Sequence, residues 1–284
     1  MKIAFPISPQ QTSPRREALV FAGSTIVLTW LFWTPAAFLP MGSGIGDFFV
    51  ALGSLVPLAV ALLLQIRLHE WTFAPRQWLT TLTARNIALA LFTGIAIFAP
   101  ILLLRVFQGT LNPGHFLNDG LRNWTALIGL IIFALAEECG WRAYFLPRFQ
   151  NISLYLTNAV VGVLWFVWQL PLVLAGRYNT SENFSGFVFA MFLYALLLTP
   201  FLNRLALRGN YNPILCAILR ALSGFVIAIY FLQGRGDPLT DTFGNLTIGW
   251  LVLLNLILFS QLWQGKKPPA EISELERVMP LQGG

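Results

Sequence analysis

Histidine and cysteine are nearly absent from this chain, with two of each in 284 residues. The cysteines, Cys139 and Cys216, lie in or beside apolar segments, so no disulfide framework is implied. Charge is scarce as well. Asp, Glu, Lys and Arg make up 11% of the residues, whereas soluble chains carry about 25%. So little charge leaves no polar coat for a water-soluble globular fold. It also excludes a disordered chain, a coiled coil and a collagen-like repeat.

Apolar and aromatic residues take the place of the missing charge. Hydrophobic residues reach 56% and the mean hydropathy is +0.68, with 10 Trp and 24 Phe. A helix crosses a bilayer with about 20 apolar residues, and eight segments approach that length: Ala18 to Leu39, Phe48 to Ile66, Ile87 to Leu104, Trp124 to Tyr144, Leu154 to Ala175, Phe184 to Leu202, Pro213 to Leu232 and Leu246 to Trp263. The expected fold is all-α, a polytopic membrane bundle of about eight transmembrane helices. A flexible arm spans 1–17, three helices occupy 18–123, four occupy 124–232, the last falls in 233–263, and a soluble tail covers 264–284. Arg15 and Arg16 before an apolar run imitate a secretion signal, but the run is too long and lacks a small-residue cleavage site, so it reads as the first span.

Eight crossings place both termini on one side. Thirteen of the 18 Lys and Arg fall on that side, and only Arg105, Arg122, Arg177 and Arg235 fall on the other. By the positive-inside rule both termini are cytoplasmic. The net charge of +6 is therefore a topology signal, and no nucleic-acid partner is needed to explain it. The expected setting is the lipid bilayer of a bacterial plasma membrane.

Ionisable residues inside a bilayer cost about 2.5 to 3.5 kcal/mol each on insertion scales, so each one is a functional candidate. The fourth segment carries Glu137, Glu138 and Arg142. Glu137 is ~20 Å along the helix from Trp124. Adjacent helical residues diverge by about 100°, so the two acids face different neighbours, while Glu138 and Arg142 at i, i+4 can pair. The fifth segment contains Trp165, Trp168, Gln169 and Pro171, and its buried amide needs a partner. Arg220 lies within the seventh, ~10 Å from its Pro213 start. Plainer readings stand beside these: a Glu–Arg clamp at a helix end, an interhelical amide hydrogen bond, and an arginine that snorkels to the interface. Cys139, with no histidine to stabilise a thiolate, reads as a packing residue.

The string Glu137-Glu138-Cys-Gly-Trp-Arg142, an EExxxR motif followed by Ala-Tyr-Phe-Leu, resembles the first motif of the CAAX-processing and bacteriocin-protection (CPBP, or Abi) family of intramembrane glutamic proteases. That family's second motif, an aromatic, three residues and a histidine before Leu-Pro, is matched by Trp165 to Pro171 with Gln169 at the histidine position. Its third motif begins with histidine, and Arg220-Ala-Leu-Ser-Gly224 occupies that place. The resemblance spans the expected four-helix core, 124–232.

It implies about eight membrane helices and an endopeptidase in which a glutamate at the Glu137 position activates water, with the two histidines polarising the peptide carbonyl or stabilising the oxyanion. The implied catalytic set is Glu137, Glu138, Arg142, Gln169 and Arg220, and the implied substrates are membrane-associated peptides or proteins. Gln169 can donate to an oxyanion but cannot shuttle a proton. Arg220 can stabilise negative charge yet also pairs with an acid. His69 and His115 lie outside the motifs, and carboxylates without His or Cys partners make a poor zinc site. No metal and no other cofactor is expected. The expectation is a family homologue with impaired hydrolysis. The alternative is a non-catalytic membrane scaffold or a transporter with a polar intramembrane cavity.

Overall fold

A computed structural model describes residues 13–40, 43–68, 73, 75–175, 184–232 and 242–264. His69, Arg177, Arg235, most of the expected arm and the expected tail after Gln264 lie outside the described residues. The described residues are mostly helical, with no strand among them. The elements are α1 (Pro14–Ala37), α2 (Gly44–Leu68), α3 (Pro75–Thr81), α4 (Ala84–Phe107), α5 (Pro113–Arg122), α6 (Trp124–Glu138), α7 (Leu154–Leu174), α8 (Phe184–Arg208), α9 (Pro213–Leu232), α10 (Thr242–Ile257) and α11 (Phe259–Leu262). Between α6 and α7 the chain continues as a π-helix, Cys139–Phe145, and a 3-10 turn, Leu146–Phe149.

Six of these helical stretches are long and apolar enough to cross a membrane: α1, α2, α4, the continuous run Trp124–Phe149, α7 and α8. The seventh and eighth expected segments are also helical, but as shorter apolar helices over Pro213–Ile229 and Asn245–Ile257. The chain is therefore a membrane protein built as a helical bundle.

Local chemistry sets the helix starts. Ser13, Thr83, Asn112 and Ser153 each accept a hydrogen bond from a backbone N–H three residues on, which satisfies a donor that the helix cannot. Because Ser13 caps and Pro14 occupies the first turn, α1 begins at Pro14, inside the segment expected to be a flexible arm. The short helices α3 and α5, not foreseen from hydropathy, fill the connections on either side of α4.

Several spans contain an internal proline, which removes an N–H and leaves the carbonyl four residues earlier without its helical partner. In a bilayer that carbonyl must find another donor. Three such carbonyls do so on a neighbouring helix. Pro57 of α2 releases Gly53 O, which accepts from Thr29 Oγ1 of α1 at 3.4 Å, while Thr29 itself accepts from Trp168 Nε1 at 2.8 Å. Pro171 of α7 releases Val167 O, which accepts from Trp30 Nε1 at 3.2 Å. Pro100 of α4 releases Ala96 O, which accepts from Trp250 Nε1 of α10 at 2.8 Å. Apolar helices gain little from the hydrophobic effect against each other in lipid, so these bonds supply direction to the packing.

Close approach positions the site. Gly140, in the π-helix, sits against α2 so tightly that a Cβ there would lie 2.5 Å from Pro57 Cβ and 2.7 Å from Pro57 C and O. Only a residue without a side chain allows that contact. An aromatic cluster closes around it, with Trp141 against Phe21 at 5.6 Å, Phe145 at 5.5 Å and Trp168 at 6.0 Å between ring centroids. The polar residues of the motifs collect where α6 and its π continuation meet α7, α8 and α9.

Candidate intramembrane ion-pair site

Glu137 and Glu138 are the last two residues of α6, and the ~100° between them sends them to different cations. Glu138 meets Arg142 of the π-helix, whose Nη1 lies 3.1 Å from its carboxylate oxygens, and both side chains are fully buried. Glu137 meets Arg220 of α9, whose Nη2 donates to Glu137 Oε2 at 2.8 Å. This second pair is less enclosed: the Arg220 side chain keeps 19% of its exposure and Glu137 10%. The site thus has a sealed inner pair and an outer pair that can be reached from outside the core.

The two pairs form one cluster, because each acid also feels the other pair's arginine. Its floor is Trp165 of α7. The guanidinium carbon of Arg220 stands 4.3 Å from the indole centroid and that of Arg142 5.9 Å, so one indole serves two cations. Tyr194 of α8 completes the surroundings, with its phenol near Arg220 and Ser223. The Trp165 string had been read as motif context, and its platform role was not anticipated. Tyr194 was overlooked, although a lone phenol in the apolar run of α8 is itself a signal of the kind that intramembrane polar residues give.

Gln169 is buried one turn beyond Trp165 on α7. Among the described residues no hydrogen bond or ion pair joins it to Glu137 or Arg220. The structure therefore brings together Glu137, Glu138, Arg142 and Arg220, and places Gln169 next to their shared indole. Cys139 is buried beside Glu138, and Cys216 is buried with its thiol donating to Leu202 O at 3.3 Å. His115 lies in the first turn of α5, away from the cluster. Among the described residues no three His, Cys, Asp or Glu side chains come together as a metal site.

The segment carrying Arg142 departs from the single regular helix expected over Trp124 to Tyr144. From Cys139 to Phe145 it is a π-helix, whose wider turn is found mostly at functional positions. Several buried donors of the cluster have no acceptor, namely Arg142 Nε and Nη2, Arg220 Nε and Trp165 Nε1. The arrangement sets each carboxylate against a guanidinium and offers further N–H donors around them. Arg220, the direct partner of Glu137, stays protonated, and the amide of Gln169 does not titrate. No protein-family model matches the chain, and no curated protein matches it significantly.

Proposed function

We propose that this chain is a homologue of the CAAX-processing and bacteriocin-protection intramembrane proteases in which the water-activating position has become an ion pair, and that it engages membrane-associated peptides without hydrolysing them. One observation carries the reading. One of the two carboxylate oxygens of Glu137, Oε2, already accepts from Arg220 at 2.8 Å. A general base has to be within reach of the proton it removes, and here a permanently charged guanidinium stands in that place. The EExxxR, Trp165-to-Pro171 and Arg220-to-Gly224 strings support the family assignment through their order and spacing.

The topology that goes with this reading is eight crossings, with α9 and α10 as the seventh and eighth, and both termini in the cytoplasm of a bacterial cell. The excess of Lys and Arg on the side of the termini supports it. Reporter fusions after Leu68, Phe107 and Trp263 test it, because cytoplasmic, external and cytoplasmic signals in that order are required.

The functional reading is tested with purified protein in nanodiscs and a fluorogenic prenylated peptide. The expected result is saturable binding without turnover. Cleavage by the unaltered protein that disappears in Glu137→Gln would overturn it in favour of an active peptidase. Ion flux in proteoliposomes that depends on Glu137 would replace it with a transporter.

A further inference from the structure

Three arginines among the described residues come with acids: Arg142 with Glu138, Arg220 with Glu137, and Arg148 with Glu17 at 3.0 Å. Arg204 and Arg208 do not. They sit one turn apart at the C-terminal end of α8, and among the described residues neither has a carboxylate within ion-pair distance or a hydrogen bond to its side chain. Arg208 is exposed, whereas Arg204 is half-buried and its Nε is shielded with no acceptor. Two like charges at i, i+4 repel. A helix end that carries them both is incomplete without an anion between them.

Their depth says which anion. α8 opens on Phe184, an exposed aromatic of the kind that marks a bilayer interface. At 1.5 Å per residue Arg204 lies ~30 Å and Arg208 ~36 Å along the helix. The hydrocarbon core is about 30 Å thick, so a helix that enters the bilayer near Phe184 carries both residues to the level of the lipid phosphates at its far end. The end of α8 is also held in place: Asn203 Nδ2 donates to Asn158 Oδ1 at 2.9 Å, and Asn158 Nδ2 donates to Leu262 O at 2.7 Å, tying α8 to α7 and α11. The arginines are therefore presented from a fixed backbone.

We propose that Arg204 and Arg208 form a site for the phosphate of an anionic membrane lipid. The inference is independent of the protease resemblance. It is tested by native mass spectrometry of the full-length protein in neutral detergent, titrated with phosphatidylglycerol or phosphatidylcholine. The unaltered protein binds phosphatidylglycerol in preference. With each cation contributing its usual share near an anionic surface, the double variant Arg204→Gln, Arg208→Gln loses about thirty-fold in that affinity. Arg208→Gln alone, an exposed change that leaves packing intact, loses about fivefold. Arg85→Gln, an exposed cation at the start of α4, leaves the affinity unchanged. Equal affinities for the unaltered protein and Arg208→Gln, or an equal loss in Arg85→Gln, would overturn the site. Displacement of the lipid by millimolar inorganic phosphate would overturn its assignment to a lipid.

Discussion

Arg220 donates to Glu137 at 2.8 Å across the packing of α9 on α6, joining residues 83 positions apart in the chain. The pair is held at membrane depth over the face of Trp165, which lies 4.3 Å below the Arg220 guanidinium carbon. Removing one partner leaves the other charge without compensation in a medium of low polarity, which costs more than removing both.

Arg220→Ala is accordingly expected to lower the stability of the detergent-solubilised protein by about 3 kcal/mol. Glu137→Gln combined with Arg220→Met is expected to cost clearly less, because no unpaired charge remains. Thermal melting of the two variants beside the unaltered protein checks this. Identical melting of Arg220→Ala and the unaltered protein would show that the pair has no structural weight.

Gly140 and Gly129 lie in the same helical run but in different surroundings. A Cβ at Gly140 would collide with the Pro57 backbone, whereas nothing lies within 4 Å of one at Gly129. Gly140→Ala is expected to destabilise by about 1 to 3 kcal/mol through overpacking. Gly129→Ala is expected to be neutral or stabilising by up to about 1 kcal/mol through helix propensity. Opposite shifts of the melting temperature are the result to look for.

Trp250 donates to Ala96 O only because Pro100 leaves that carbonyl without its helical partner. Trp250→Phe is therefore expected to cost about 1 to 2 kcal/mol for the orphaned acceptor. In a Pro100→Ala background, where residue 100 regains its N–H, the same change is expected to cost less. A double-mutant cycle measures the coupling, and strict additivity would refute it.

Tyr211 lies in the turn between α8 and α9, where burial pushes its phenol up to about 12. The folded state thus holds this proton more tightly than the unfolded chain, whose tyrosine titrates near 10. The contribution to stability is complete below about pH 10 and is lost as the pH rises toward about 12. Tyr211→Phe is expected to show a smaller alkaline loss of stability than the unaltered protein in otherwise identical melts.

Much of this architecture follows from hydropathy. The eight apolar segments are all helical, and the spacing of Glu138 and Arg142 was enough to foresee their pairing. Arg220 at the depth of the acids implied a carboxylate partner, and Glu137 fills that place. Other features were hidden for definable reasons. The π segment after Glu138 holds Gly140 against Pro57, a tertiary contact that no local pattern encodes. The early start of α1 was readable from Ser13 and Pro14 but was masked by the polar composition before it. Which side chain caps which proline gap is a tertiary choice, since nothing in the local sequence assigns Thr29, Trp30 and Trp250 to their carbonyls. Hydropathy missed Tyr194 because one phenol scarcely alters the average over a span.

The π segment also makes residue count a property of the site. The wider π turns take up about one residue more than an α-helix of the same rotation, so deleting one position between Cys139 and Phe145 would restore an α-helix whose two ends face much as before, while the side chains inside the stretch change direction. Arg142 and Trp141 would then meet different neighbours even though every named side chain was still present. A related chain can therefore share all four charged residues and still be unable to assemble the cluster if it differs by one residue in this stretch. The spacing between Glu138 and Leu146 is a stricter test of kinship in function than the identity of the residues between them.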